Sequence, residues 1–165
     1  MKTQLKETSS GKMVAAEIKA AGLADMPLKR DGWQFNWREL HRENKQSLFF
    51  KLTLHKSPEK AEGMVVFTML ENGLLYMDCI EVAPTNYGSK GRYDYVAGSL
   101  LAIGCLFAGE LGRDVYKGYL HFTSKTALIG LYVNKYGAMR AGGQKLFFND
   151  IVGKKLIDTY LIGDQ

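Results

Sequence analysis

Hydrophobic and polar side chains alternate along three segments in the first half of the chain, residues 47–55, 63–70 and 74–82. Alternation with a period of two is typical of β-strands that bury one face. Residues 57–60, Ser-Pro-Glu-Lys, predict a turn between the first two strands, and residues 71–73, Glu-Asn-Gly, predict a hairpin turn before the third. Because short connections pair neighbouring strands antiparallel, we expect an antiparallel meander.

After the meander the period changes, and helical and strand patterns alternate. A polar, glycine-containing loop precedes residues 92–112, a predicted helix that is apolar on nearly every face and must therefore be largely buried. The remaining predicted elements are a strand at 115–122, a helix at 125–136, a strand at 144–148 and a helix at 151–160. The order predicts one α+β domain over residues 1–165, a mixed and mostly antiparallel sheet flanked by helices.

The N-terminal third gives weaker signals. Residues 1–11 are polar and predict a flexible tail, and residues 13–21 place Met, Val, Ile and Ala on one side of a short amphipathic helix. Trp33, Phe35 and Trp37 alternate, which predicts either a short strand or the rim of a pocket, and aromatic cover for the sheet is the simpler interpretation. A helix is expected over residues 38–44.

Composition and charge exclude several classes of protein. With 46% hydrophobic and 24% charged residues, the chain is neither disordered nor fibrous. The start of the chain lacks the apolar core of a signal peptide, and the longest uncharged run, residues 95–109, is fifteen residues, where a bilayer crossing needs about twenty. Cys79 and Cys105 show no metal-ligand spacing, so we expect buried thiols, no metal site and a cytoplasmic protein without membrane contact.

The segment 78–101, DCIEVAPTNYGSKGRYDYVAGSLL, predicts an anion-binding site. A strand ends there, a glycine-containing loop turns, and a helix begins. The first turn of a helix has free N–H groups and a partial positive charge, and Lys90 and Arg92 add full charges at the same end. Small side chains at Ala97, Gly98 and Ser99 allow a ligand to approach the backbone.

This segment resembles the cofactor-binding motif of GNAT acetyltransferases, R/Q-x-x-G-x-G/A followed by two leucines. Here the motif is formed by residues 92–97, Arg92, Tyr93, Asp94, Tyr95, Val96 and Ala97, and by the leucines at 100 and 101, with Tyr95 where the family usually has Gly. The resemblance implies that backbone N–H groups along this turn bind the pyrophosphate of acetyl-CoA, and that Val82 pairs its backbone with the pantetheine arm. Residues 115–138 resemble the family's later strand and helix, with one residue more than usual between Tyr132 and Gly137.

The resemblance also implies N-acetyl transfer to an amine, for which two residues are catalytic candidates. Glu81 lies near the end of the third strand, where the family often carries a base, although a salt bridge to Lys90 or Arg92, or a solvated strand end, would explain it equally well. Tyr132 is the candidate acid, with Tyr136 as a substitute, and a core role is the alternative for both. The three histidines have no ligand spacing.

Two rival functions stay open. The same fold could hold CoA without catalysis, since Tyr95 and the Tyr132 spacing depart from the family pattern. A net charge of +5 also suits a nucleic-acid-binding accessory protein, but the basic residues are dispersed and no nucleic-acid motif is present, so nucleic acid is not the expected partner. The acceptor, a small molecule or a protein amine, is not specified by the sequence, and a homodimer is compatible with it.

Overall fold

The computed structural model describes residues 1–163, and its core is one ten-stranded sheet. The strands are β1 (Lys2–Glu7), β2 (Met13–Ala20), β3 (Leu48–Leu54), β4 (Ser57–Met69), β5 (Leu75–Val82), β6 (Tyr93–Asp94), β7 (Leu120–Thr123), β8 (Met139–Arg140), β9 (Lys145–Phe148) and β10 (Leu161–Ile162). The α-helices are α1 (Trp37–Glu43), α2 (Val96–Leu111), α3 (Ile129–Tyr136) and α4 (Asp150–Tyr160).

The sheet is mixed and mostly antiparallel, as predicted. Its strand order is β10-β1-β2-β3-β4-β5-β7-β9-β8, with β6 paired to β1. Neighbouring strands pair antiparallel except β5 and β7, which are parallel and are connected through the crossover helix α2. Helices α2 and α4 pack on one face over the larger hydrophobic core, and α1 covers a smaller cluster on the other face.

Two predictions for the N-terminus are wrong. Residues 1–11 are not a tail, because β1 occupies Lys2–Glu7 and buries Thr3 and Leu5 between exposed polar neighbours. Residues 13–21 are not a helix, because β2 runs over Met13–Ala20 and directs Ala16 and Ile18 into the core. Both strands are stabilised by pairing with distant parts of the chain, which a local pattern does not contain.

Several predicted boundaries also move. The turn expected at residues 57–60 lies inside β4, since Leu54 already pairs with Ser57. The long helix begins at Val96 and not at 92, because β6 pairs with β1 and keeps the preceding residues extended. The strand expected at 115–122 is the shorter β7, which begins at Leu120 and ends at Thr123. The helix expected from 125 begins as a 3-10 turn before α3.

A β-bulge at Asp78 reverses the alternation of side chains along β5. Val66 pairs with Cys79 and Phe67 with Met77, so Asp78 has no partner on β4. Before the bulge, Met77 faces the α2 core, and after it Cys79 faces the α1 cluster. The bulge therefore decides which side chains of β5 reach each face of the sheet.

Candidate functional site

The parallel strands β5 and β7 separate part of the way along the sheet and leave a cavity between them. They pair from Leu75 to Met77 only, whereas β5 continues to Val82 with β4 as its partner. The cavity has a volume of about 580 Å³. Its walls are the free edge of β5, the start of α2, the length of α3 and the loop that precedes α1. A volume of this size is typical of a small-molecule site.

The cavity has two chemically different ends. At one end Lys135 on α3 lies 3.9 Å from Asp94, beside the start of α2. At the other end Lys125, just before α3, lies 5.7 Å from the centre of the Phe35 ring, near the Asp78 bulge. Residues 78 and 82 are separated by about 13 Å along an extended strand. A long ligand therefore has a distinct environment at each end.

The start of α2, whose first backbone N–H groups have no partner within the helix, lies at the first of these ends. The earliest bond that closes the helix runs from the Ser99 N–H to the Tyr95 carbonyl, 3.0 Å, so the N–H groups of the three preceding residues have no partner within the helix. Val96 and Ala97 line the cavity. Tyr93 also lines it, and its hydroxyl is buried without a protein partner among the described residues. These unpaired donors fit an anionic ligand such as a pyrophosphate.

Of the seven residues that the resemblance assigned to the cofactor, five line the cavity: Val82, Tyr93, Asp94, Val96 and Ala97. Arg92 and Tyr95 do not. The Arg92 guanidinium lies over the Tyr93 ring, 5.3 Å from its centre, and the Arg92 carbonyl accepts a bond from Thr8 N–H, 3.0 Å. Tyr95 packs edge-on against Tyr160 with ring centres 5.5 Å apart. Both residues support the loop from outside the cavity wall.

Glu81 is a buried carboxylate, 5% exposed, that accepts four hydrogen bonds. Its Oε1 accepts from Phe35 N–H at 3.2 Å and from Trp37 Nε1 at 2.9 Å. Its Oε2 accepts from Gln34 N–H at 2.7 Å and from the Tyr87 hydroxyl at 2.6 Å. Neither of the predicted salt bridges, to Lys90 or to Arg92, is present among the ion pairs of residues 1–163. The carboxylate ties the segment before α1 to the end of β5.

Tyr132 and Tyr136 both line the cavity from α3, with ring centres 6.4 Å apart. The Tyr132 ring packs against Phe122 at 4.9 Å. Burial raises the pKa of each tyrosine to about 12. Both hydroxyls therefore stay protonated at neutral pH, which is the state that a proton donor requires.

The sequence analysis did not identify Tyr87, which lines the cavity together with Glu81 and donates its hydroxyl to that carboxylate. The loop that carries it is held by Asn86, whose side chain donates to the Glu62 carbonyl at 3.1 Å and accepts from Tyr93 N–H at 3.0 Å. Tyr87 lies in a polar loop six positions after Glu81, and no sequence motif marks it. Its alignment depends on the two 3-10 turns of that loop.

The aromatic residues before α1 divide between two roles. Trp33 and Trp37 are buried in the cluster that covers the sheet, which was the simpler of the two predicted interpretations. Phe35 lines the cavity at the Lys125 end. The two cysteines are buried and unpaired, and burial raises the pKa of each thiol to about 12.

Over residues 1–163, no group of three or more His, Cys, Asp or Glu side chains is arranged to hold a metal ion. In the same part of the chain, no helix combines the length and the apolar character that a membrane crossing needs.

No family model and no curated protein matches the chain in sequence. Solved structures do match it in fold. AtaTR bound with acetyl-CoA is 15% identical, with a TM-score of 0.58, and the match covers 86% of this chain and 97% of that one. Mutant forms of the spermidine/spermine N-acetyltransferase SpeG from Vibrio cholerae are 10% identical, with a TM-score of 0.60 and coverage of 87% and 97%. A GNAT-family acetyltransferase from Staphylococcus aureus Mu50 is 11% identical, with a TM-score of 0.54 and coverage of 82% and 99%.

At these identities the comparison concerns the fold alone. The chain has the fold of the GNAT acetyltransferases.

Proposed function

We propose that this protein is an N-acetyltransferase that binds acetyl-CoA in the cavity between β5 and β7 and transfers the acetyl group to a primary amine. The observation that carries the proposal is the combination of a free β5 edge with the N–H groups at the start of α2 that have no partner within the helix. A structural neighbour, AtaTR, is bound with acetyl-CoA and has the same fold.

The two ends of the cavity suit the two ends of acetyl-CoA. The N–H groups at the start of α2 would hold the pyrophosphate, with Lys135 nearby as a cation. The backbone of β5 beyond the bulge, including Val82, would pair with the amide groups of the pantetheine arm. This arrangement leaves the thioester near the middle of the cavity and the acceptor at the end formed by Asp78, Phe35 and Lys125.

The chemistry needs a neutral amine, donors for the oxyanion and a proton for the departing sulfur. Glu81 is the proposed base, acting directly or through water. Tyr132 is the proposed acid, and its raised pKa of about 12 keeps it protonated across the working range. A backbone N–H near Val82 is the proposed oxyanion donor. These roles are part of the proposal, and mutation of each residue tests them.

Calorimetric titration with acetyl-CoA tests the cofactor site, and the chain offers a matched pair of variants. Ala97 lines the cavity at the start of α2, so Ala97→Asp places a negative charge beside the proposed pyrophosphate. An acidic residue in the first turn also interacts favourably with the helix dipole, so this variant should fold well. Ala141→Asp, in the exposed turn between β8 and β9, is the control. We expect saturable binding by the wild type and the control, and at least tenfold weaker binding by Ala97→Asp.

Two other outcomes point to the rival functions. Binding of acetyl-CoA without acetylation of any amine in a broad panel would indicate a CoA-binding module without catalysis. A salt-sensitive affinity for a short DNA duplex, together with no affinity for acetyl-CoA, would indicate a nucleic-acid-binding protein and would refute the proposal.

A further inference from the structure

The four hydrogen bonds to Glu81 restrict how a proton can reach it. A carboxylate has about four lone-pair positions, and here each oxygen already accepts two bonds. Three of the donors are the N–H groups of Gln34, Phe35 and Trp37, which have no lone pair with which to take up a proton. The Tyr87 hydroxyl is the one donor of the four that also accepts.

Tyr87 is also the more accessible member of the pair. Both residues line the cavity, but Glu81 is 5% exposed and Tyr87 is 37% exposed. The distance from the Tyr87 hydroxyl to Glu81 Oε2 is 2.6 Å, short enough for proton transfer within an existing hydrogen bond. Asn86 fixes the loop on both sides, to the Glu62 carbonyl and to Tyr93 N–H, so the hydroxyl is held in this position.

We propose that Tyr87 is a catalytic residue that relays the proton of the acceptor amine to Glu81. The inference depends on the proposed acetyl transfer. The protonated amine gives one N–H proton to the Tyr87 oxygen while the Tyr87 hydroxyl proton moves to Glu81 Oε2. Glu81 ends neutral, Tyr87 ends unchanged, and the amine nitrogen is left with the electron pair that forms the new bond to the acetyl carbon. In the tetrahedral adduct the nitrogen still carries a second proton to lose, which passes to the departing thiolate, directly or through Tyr132, as the C–S bond breaks. Reversal of the two transfers returns the first proton from Glu81 through Tyr87 to water.

The environment of Tyr87 suits a relay better than a base. Burial and the adjacent Glu81 carboxylate raise the pKa of the Tyr87 hydroxyl above its usual value. Tyr87 therefore does not hold a negative charge at neutral pH, and it passes a proton on only when it receives one at the same time.

The test compares two acceptor amines of different basicity, with acetyl-CoA consumption followed by thiol release. Propylamine is protonated at pH 7, as a lysine side chain is, and needs its proton removed before it reacts. Methoxyamine is a weak base that is already neutral at that pH. In Tyr87→Phe we expect kcat/KM for propylamine to fall by about 100-fold, the scale of general-base catalysis. The rate with methoxyamine should change by less than about threefold, and the affinity for acetyl-CoA measured by calorimetry should be unchanged.

Tyr76→Phe is the matched control. Like Tyr87, Tyr76 uses its hydroxyl in a short hydrogen bond, here with the Thr123 hydroxyl at 2.6 Å. Unlike Tyr87, it does not line the cavity. This variant should keep both rates. Thermal unfolding of each variant shows whether it is folded.

Two results would overturn the relay. One is a Tyr87→Phe variant that retains kcat/KM for propylamine within threefold of the wild type. The other is an equal loss with both amines, which would assign Tyr87 to positioning. A wild-type protein that binds acetyl-CoA and acetylates neither these two amines nor any amine of the broad panel between pH 7 and 10 would refute the proposed acetyl transfer itself, and the relay with it.

Discussion

Replacing Glu81 by glutamine tests whether the buried carboxylate holds the site together. Glutamine has the same length, but one of its two polar atoms is an NH₂ group that donates. If its oxygen takes the Oε1 position, it keeps the bonds from Phe35 and Trp37. The NH₂ group then faces Tyr87, whose hydroxyl can turn to accept, and the Gln34 N–H, which cannot.

The expected cost follows from this count. One backbone N–H is left without a partner, which costs about 1–3 kcal/mol when buried, and the bonds that remain lose the contribution of the negative charge. We therefore expect Glu81→Gln to lower the free energy of unfolding by about 2–4 kcal/mol. Glu81→Ala would leave three N–H groups unpaired, a cost close to the whole stability of many domains, so glutamine is the more informative change.

Urea unfolding followed by tryptophan fluorescence measures this loss of unfolding free energy with probes that lie next to Glu81. The chain has two tryptophans, Trp33 and Trp37, and both lie in the cluster beside Glu81. Glu110→Gln is the control, because Glu110 is exposed near the end of α2. A difference below about 0.5 kcal/mol between the two variants, with unchanged denaturant dependence, would refute the four-bond arrangement.

Two further predictions concern the core of α2 and the tyrosines of α3. A Cβ at Gly104 would lie 2.6 Å from Phe67 and 2.7 Å from Leu120, whereas at Gly109 it would meet no heavy atom within 4 Å. Chemical denaturation should therefore find Gly109→Ala more stable than the wild type by about 0.5–1 kcal/mol. It should find Gly104→Ala less stable than Gly109→Ala by about 1–3 kcal/mol. Equal stabilities of the two variants would contradict the packing around Gly104. Because burial raises the pKa of Tyr132 from 10.0 to about 12, the unfolded chain loses this proton first, and the free energy of unfolding falls as the pH rises through that interval. When denaturation is measured at successive pH values, the free energy of unfolding of Tyr132→Phe should fall less steeply with rising pH than that of the wild type, by up to about 1.4 kcal/mol per pH unit. An unchanged slope would mean that this hydroxyl is not buried in the folded chain.

The central elements of the fold could be predicted from sequence because their signals are local. Strands β3 and β5 alternate, and α4 has a helical period bounded by residues that end it. The N-terminal strands could not be predicted in this way. The apolar positions of β2 fit a helical period as well as a strand, and only pairing with β1 and β3 selects the strand.

The sequence predicts which segments form the site, but it does not predict how their side chains are arranged. A period of two from Leu75 would place Glu81 on the same face as Met77. The bulge at Asp78 moves Glu81 to the opposite face, where it meets the segment before α1. A bulge inserts one residue without a strong sequence signature, so the four partners of Glu81 and the role of Tyr87 become visible only in three dimensions.

Tyr95 explains how the helix start keeps its conformation without the glycine that the family motif usually has. Its φ of +76° lies in the left-handed region, which glycine adopts freely and which costs other residues about 1–2 kcal/mol. The Tyr95 ring packs on Tyr160, and the Tyr160 ring covers Gly98 so closely that any Cβ there would overlap it. The contact with the end of α4 offsets the local strain. The left-handed residue, and not glycine itself, is therefore what turns the chain into α2 at Val96, beside the cavity that Val96 and Ala97 line.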